Sequence, residues 1–450
     1  MFQERSFAAY LLKQIMLQRL FLFLLLFQVL PDIFLYFRFV VRKTAKQSLK
    51  VLYWLPTVLL IAGLLYLVFW GGNDFSERHT QAIGWFSFVY FLFTSPKLLL
   101  ATLTAIGLAG RRFFRLSPKP FVGIGLFLAG LNAAMIIYGC FIGRSRLETK
   151  EVSFTSTQLP SAFDGYRIVQ LSDFHIGSWV GHDQTIRTIV EQVNAMNPDL
   201  IVFTGDLVNH RALELEGFQE ILSRLKAKDG VYSVLGNHDY GPYFHWKNAA
   251  EQEANLKDLE RRQAAMGWQL LNNTHVFLTA RNSTVDSLKE ASSTEVAKVD
   301  SVALIGVENE GEPPFSQHGD LPRAMAGTEG MFQILLSHNP THWKREVLPD
   351  SDIELMLAGH THGMQFRIGN FSPAQFVYPQ WSGLYLDDTA SKGLYVNVGI
   401  GYVGLPFRFG SWPEITVLTL HKQPQQKVAI TETADTKIAI IKDEDCHKAN

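Results

Sequence analysis

Long uncharged apolar runs alternate with basic links over the first 150 residues; from about residue 152 the pattern breaks into short apolar runs separated by polar, amphipathic stretches. Val51–Trp70 is twenty residues without a charge, and Phe121–Gly143 is twenty-three. At a rise of 1.5 Å per residue, about 20 residues cross roughly 30 Å of hydrocarbon. Ala82–Gly110 is also long enough, with Lys97 just after Ser95-Pro96, and Leu20–Phe37 is interrupted by Pro31-Asp32. The pattern predicts an all-α bundle of about four transmembrane helices in residues 1–150, with spans near 20–37, 51–70, 82–110 and 121–143. A cleaved signal peptide fits poorly, because Pro31-Asp32 stands where a small-residue cleavage site belongs. Asp32 and Lys97 are expected near helix ends or snorkelling to the surface; a polar pathway inside the bundle is the alternative.

Charge adds an orientation. Residues 1–150 carry 17 Lys and Arg against 5 Asp and Glu, a net +12, whereas the other 300 carry 24 against 37, a net −13. Arg42, Lys43, Lys46 and Lys50 lie between spans one and two, and Arg111, Arg112, Arg115 and Lys119 between spans three and four. The link between spans two and three has Arg78 beside Asp74 and Glu77. The positive-inside rule puts the two basic links in the cytoplasm and everything after Gly143 outside it. Arg5, Lys13 and Arg19 before span one, and Arg144, Arg146 and Lys150 after span four, pull the other way. The expected location is an integral, multi-pass membrane protein of bacterial inner-membrane type with an extracytoplasmic second part. Two cysteines, Cys140 and Cys446, exclude a disulfide framework and a thiolate metal site. The acidic second part argues against nucleic acid as a partner.

In that second part Tyr166–Leu171, Leu200–Phe203 and Val231–Leu235 read as strands, with helical spacing over Asp183–Met196 and Leu213–Lys226. Strand–helix alternation is the mark of an α/β layered domain, bounded here at about 152–421. Further strands are expected at Val302–Val307, Phe332–Leu336, Ile353–Leu357, Leu394–Val398 and Ile415–Leu420. Thr284–Asp300 reads as a surface insertion and 422–450 as a polar C-terminal tail.

Polar, metal-capable residues stand where five of these apolar runs stop: Asp173-Phe174-His175, Gly205-Asp206, Gly236-Asn237-His238-Asp239, Ser337-His338-Asn339 and Gly359-His360-Thr361-His362-Gly363. Ligands of open α/β sheets gather beyond the carboxyl ends of strands. An isolated Asp-x-His or Gly-Asp is more often a turn or a cap. The ordered set carries the specificity. Its mixture of carboxylate, amide and imidazole without sulfur suits Mn, Fe or Zn and is too rich in nitrogen for calcium. Two cations about 3.5–4 Å apart would lower the pKa of a bound water and clamp the oxygens of an in-line displacement at phosphorus.

In this order the motifs resemble the calcineurin-like metallophosphoesterases, over roughly residues 152–421. Leu357–Gln365 (LAGHTHGMQ), Gly383-Leu384-Tyr385 and Gly404-Leu405-Pro406 are similar to the membrane-anchored, bacterial-type branch of that superfamily. The resemblance implies a four-layer α/β/β/α sandwich with two divalent metal ions between its sheets. It also implies their ligands: Asp173, His175, Asp206 and His362 on the first, and Asp206, Asn237, His338 and His360 on the second, with Asp206 bridging. His238 would bind neither and would serve the leaving oxygen as proton donor. One position departs from the family pattern: many members have a second Asp three residues after the bridging one, and here it is Asn209. If that Asp tunes the catalytic histidine, His238 is less basic here, unless Asp239 compensates. His182, His210 and His245 could line a substrate cleft or be ordinary loop histidines, and Arg408 within Tyr402–Phe409 (YVGLPFRF) could meet a phosphate or simply pack.

The expected function is a membrane-anchored dimetal phosphohydrolase acting on a phosphomonoester or phosphodiester, with the lipid bilayer as its partner and a lipid or envelope-precursor phosphate as a candidate substrate. The alternative is a non-catalytic receptor or scaffold with a structural metal site, against which stands the completeness of the ligand set. A transporter reading finds too few polar residues in the spans.

Overall fold

The structure is a computed structural model that describes residue 19 and residues 21–43, 46–69, 77–279 and 301–423. The insertion expected at Thr284–Asp300 lies outside the described residues, as does the polar tail beyond residue 423.

Four helices are long and apolar enough to cross a membrane: α1 (Phe21–Val40), α2 (Gln47–Phe69), α3 (Glu77–Phe114) and α4 (Lys119–Phe141). Their outer faces carry exposed Leu52, Leu59, Phe127 and Leu131, as surfaces in contact with hydrocarbon do. Asp32 and Lys97 neither sit at helix ends nor snorkel. Asp32 is fully buried on α1, where its carboxylate meets Lys97 Nζ of α3 at 2.8 Å and accepts from Thr57 Oγ1 of α2 at 2.6 Å. A carboxylate at that depth is tolerable only when paired and hydrogen-bonded, and this ion pair ties three helices together.

After α4 the chain builds two six-stranded sheets. The first has the order β1 (Glu148–Ser156), β12 (Glu414–Lys422), β2 (Arg167–Leu171), β3 (Leu200–Phe203), β4 (Val231–Ser233) and β5 (Trp268–Leu270). The second runs β10 (Gly383–Leu386), β11 (Gly393–Val396), β9 (Leu355–Ala358), β8 (Phe332–Leu336), β7 (Ser301–Gly306) and β6 (Thr274–Thr279). The run β2-β3-β4-β5 is parallel, as is β7-β8-β9-β11, so the ends that carry the motifs lie side by side.

Alternation assigns the layers. Ile168, Leu200 and Val202 of the first sheet face Leu304, Ile334, Leu336 and Leu357 of the second in one core. On the opposite face, Val169, Leu171, Ile201 and Phe203 meet Ile186, Ile189, Val190 and Val193 of α5 (Asp183–Ala195), whose spacing is that of one helical stripe. Burying each such side chain stabilises the fold by about 1.5–3 kcal/mol. Leu259 of α6 (Ala249–Ala265) joins the same layer. Outside the second sheet, Ile305, Leu335, Met356 and Val396 pack on Leu321, Ala324, Trp343 and Val347. This is an α/β/β/α stack.

Several elements differ from the sequence reading. The helix expected over Leu213–Lys226 is a 3-10 turn, Ala212–Leu215, followed by one short helix, Gln219–Leu222. Glu214 takes its carboxylate back to the main-chain N–H groups of Asn209, His210 and Arg211, which stops the chain from continuing as a helix. β1 was not evident, because its burial begins only at Phe154 and its charged first half is held by pairing with β12. β5 and β6 are edge strands too short and polar to show a period.

Candidate metal centre

Each chemical motif lies in the turn that follows a buried strand, and the turns are sharply bent. Asp173, His175, Asp206, His360 and His362 all have positive φ, between 45° and 74°. Left-handed backbone at non-glycine residues costs of order 1–3 kcal/mol each and persists only where the surroundings enforce it. Here the turns brace one another: Asp173 N–H donates to Gly205 O at 2.9 Å and His175 N–H to Asp206 O at 3.1 Å. Gly205, at φ 96°, permits the closest approach, since a Cβ there would lie 2.7 Å from both Gly236 N and His338 Nδ1.

The side chains converge in three groups of possible ligand atoms: Asp173, His175 and His362; His175, Asp206 and His238; and Asp206, His338 and His360. His175 Nε2 and His362 Nε2 stand 3.1 Å apart, and His360 Nδ1 and His338 Nε2 3.2 Å apart. Asp206 lies between the pairs, its Oδ2 3.2 Å from His338 Nε2 and 3.6 Å from His175 Nε2. Asp173 Oδ1 is 3.2 Å from His362 Nε2. Asn237 borders the same 370 Å³ cavity as Asp206, His238, His360 and His362, and its buried Oδ1 accepts no hydrogen bond.

These residues fit cations. Two imidazole lone pairs at 3.1–3.2 Å repel unless a proton or a cation stands between them. Burial, then the neighbouring imidazole of His238, pushes His175 far below its usual pKa; burial, then His338, takes His360 down to about 3. Both rings are thus neutral, with lone pairs to offer. Burial works against ionised Asp173 and Asp206, yet His362 beside the first and His338 beside the second hold both below the usual carboxylate range. His338 loses basicity to burial and regains more from Asp206, reaching about 9. Outer partners orient the rings as metal-binding histidines require: Thr204 O lies 2.7 Å from His338 Nδ1, and Tyr378 Oη 2.9 Å from His360 Nε2.

His238 stands at the rim, its ring edge-on to His175 at 4.7 Å between centroids and 4.5 Å from the Tyr243 ring. Its Nδ1 lies 2.8 Å from the carbonyl oxygen of Asn209, which fixes a proton on Nδ1 and leaves Nε2 as the exchanging atom. Residue 209 therefore meets His238 through its main chain, whatever its side chain; the Asn209 amide turns instead to Ser178 Oγ at 3.1 Å. Nor does Asp239 compensate for a missing charge. Its carboxylate accepts the N–H groups of Asp206, Leu207, Val208 and Gly236 and pins two of the turns together. Burial, then Asp206, raises Asp239 to about 7.

His182 and His210 line a cavity with His238, whereas His245 is exposed elsewhere. Arg408 is fully buried and donates to the carbonyls of Gly401, Ser411 and Val398, with Nη2 3.0 Å from His362 Nδ1, so it packs behind the site. The aromatic residues around it pack on the membrane helices, Phe407 with Ile136 and Cys140 of α4. Thr204, Tyr378 and Glu214 were missed by sequence reasoning. A carbonyl has no residue signature, and Tyr378 reaches the site from a loop without a motif.

Residues 166–364 match the family described as calcineurin-like phosphoesterase, and residues 18–144 match the one described as probable calcineurin-like phosphoesterase, transmembrane domain. Over 288 residues the chain is 32% identical to the uncharacterized metallophosphoesterase YkuE of Bacillus subtilis, an overlap of 63% of this chain and 88% of that protein. The chain belongs to the calcineurin-like phosphoesterases. This phosphoesterase is also 32% identical over 294 residues to a transmembrane protein with metallophosphoesterase domain from Danio rerio, covering 64% of this chain and 61% of that one. It is 27% identical over 336 residues to the UDP-2,3-diacylglucosamine pyrophosphatase LpxG of Chlamydia trachomatis, covering 67% and 99% respectively. It is thus a metal-dependent phosphoesterase, a hydrolase that takes two divalent cations, on an integral membrane protein with four spanning helices.

Proposed function

We propose that this protein hydrolyses a phosphate ester or pyrophosphate carried by a membrane amphiphile, with Asp173, His175, Asp206 and His362 holding one cation and Asp206, Asn237, His338 and His360 the other. The observation that carries the reading is the position of Asp206 Oδ2 between His338 and His175, one carboxylate oxygen within 3.2 and 3.6 Å of imidazoles from two separate groups. Cations bound there supply an acidified water and draw charge from the phosphoryl oxygens. The protein's own contribution is positional. Turns that hold five residues in left-handed backbone fix the ligands before any substrate arrives, and His238, steadied by the Asn209 carbonyl, delivers a proton from Nε2 to the leaving oxygen. The likeness to the UDP-2,3-diacylglucosamine pyrophosphatase LpxG and the four-helix anchor both favour an amphiphilic substrate. The basic links between spans one and two and between spans three and four support a catalytic unit outside the cytoplasm of a bacterial inner membrane.

The test is hydrolysis of an aryl phosphodiester by the full chain with manganese supplied, followed by a screen of phospholipid and nucleotide-sugar phosphates. Activity abolished by Asp206→Asn and His238→Asn supports the assignment; no hydrolysis by the wild type with any divalent metal overturns it. Protease accessibility in intact cells tests the orientation, and full protection of the second half reverses it.

A further inference from the structure

A second cavity, of about 320 Å³, opens between the membrane helices and the catalytic unit and reaches the metal centre at its rim. Ile83 and Trp85 of α3 form one wall and Pro406 another, while His238 and Asn209 close the inner end. His238 and Val403 line this cavity and the metal-site cavity alike, so the two spaces meet at the proton donor. Its polar lining is selective. No Asp or Glu contributes to it, whereas Arg144, His182, His210 and His238 all do. Arg144 leaves the end of α4 and lies between the rings of Trp85 and Tyr402, at 6.0 and 5.9 Å, with Nη2 3.3 Å from His182 Nε2 and Nη1 3.4 Å from Tyr402 Oη. His182 directly precedes α5, whose thirteen residues point the positive end of their dipole into this region. A guanidinium beside an imidazole is a place for an anion; Asp183, the carboxylate that acts on His182, pairs with Arg187 at 3.7 Å and does not line the cavity.

The depth of the cavity is set by its surroundings. Trp85, Phe88 and Phe141 form one aromatic cluster, Tyr138, Phe409 and Trp412 another, and Arg146 caps Trp412 at 4.7 Å. Aromatic and basic belts of this kind mark the headgroup level of a bilayer. The loop that leaves Phe366, itself packed against the helices, exposes Ile368, Phe371, Phe376 and Val377, with Phe376 76% exposed. Apolar side chains displayed beside a membrane anchor are buried in its interface.

We propose that this cleft is the lipid-side subsite of the enzyme: it takes an amphiphile with two anionic groups, one on the metal centre and the second between Arg144 and His182, while the hydrocarbon part leaves along Ile83, Trp85 and Pro406 into the bilayer. The proposal rests on the phosphohydrolase reading and narrows it to diphosphate-type or doubly anionic lipid substrates. It also gives the anchor a task beyond tethering, since α3 and the turn that follows α4 supply walls of the substrate site.

The test uses the full-length protein in detergent micelles with manganese in excess, hydrolysing an aryl phosphodiester, and measures inhibition constants for dodecyl diphosphate, dodecyl phosphate and inorganic diphosphate. Dodecyl diphosphate is expected to inhibit at least roughly 10-fold more tightly than either of the others, one lacking the second anion and the other the chain. In Arg144→Gln the preference for dodecyl diphosphate over dodecyl phosphate falls by about 10-fold or more, as expected for one charge-assisted contact, and Arg144→Lys recovers most of it. A preference unchanged within twofold in Arg144→Gln overturns the anion site. Equal inhibition by inorganic and dodecyl diphosphate assigns the site to free diphosphate and overturns the lipid-side claim. Absence of hydrolysis in the wild type is the separate failure of the phosphohydrolase reading.

Discussion

At the scale of single residues, His238 and Asn209 show how little of the contact that orients a proposed proton donor resides in side-chain identity. The proton on His238 Nδ1 is held by a main-chain carbonyl, so Asn209→Ala keeps that contact and loses only the amide contact with Ser178. Its kcat/KM on an aryl phosphodiester is expected to fall by less than about threefold, against roughly 10²–10⁴-fold for His238→Asn, with metal content of the latter unchanged by elemental analysis. A 100-fold loss in Asn209→Ala would mean that the amide itself acts on His238. The proposed ligands stood out in the sequence because each follows a hydrophobic strand, where residue type and place coincide. Thr204 and Tyr378 did not, because their roles are carbonyl and hydroxyl contacts made across the fold, and Arg408 was marked by its type and place while its contacts behind His362 were not legible.

Among the elements, the loop between β3 and the short helix Gln219–Leu222 depends on a single buried carboxylate. Glu214 accepts from Asn209, His210 and Arg211 at 2.7–3.0 Å, and burial raises its pKa from 4.5 to about 7. A carboxyl whose folded pKa is raised contributes stability that is complete below 4.5 and is lost as the pH rises through about 7. Thermal unfolding of the wild type relative to Glu214→Gln should therefore move to lower temperature as the pH goes from 5 to 8; a difference independent of pH would contradict the assignment. The neighbouring turn admits only glycine: Gly205→Ala places a Cβ 2.7 Å from His338 Nδ1 at φ 96° and is expected to cost about 1–3 kcal/mol and to weaken metal retention, read by unfolding and elemental analysis. The helical period over Leu213–Lys226 misled because it belongs to a segment whose buried apolar residues, Leu215, Phe218, Ile221 and Leu222, serve a turn and one short helix. Strands β2, β3 and β8 were plain, being apolar on both faces as central parallel strands are.

For the whole molecule, the bundle and the catalytic unit form a joined body in which Phe407 lies against Ile136 and Cys140, and a Cβ at Gly139 would run into its ring. Gly139→Val should loosen this joint and increase protease cleavage within residues 402–412, while cleavage elsewhere in the catalytic unit stays as in the wild type. The spans were legible from length and hydropathy alone. The joint and the cleft beside it were not, since they bring together residues 81–85, 144, 178–182 and 402–406, which no local pattern connects. The proposed chemistry depends on two cations sharing Asp206. Elemental analysis of the purified full chain after reconstitution and removal of free metal, with Asp206→Asn alongside, tests this most directly. The account predicts two bound divalent ions per wild-type chain and the loss of at least one, together with phosphoesterase activity, in the variant. Full activity with a single ion per chain, or two ions retained in Asp206→Asn, would contradict it.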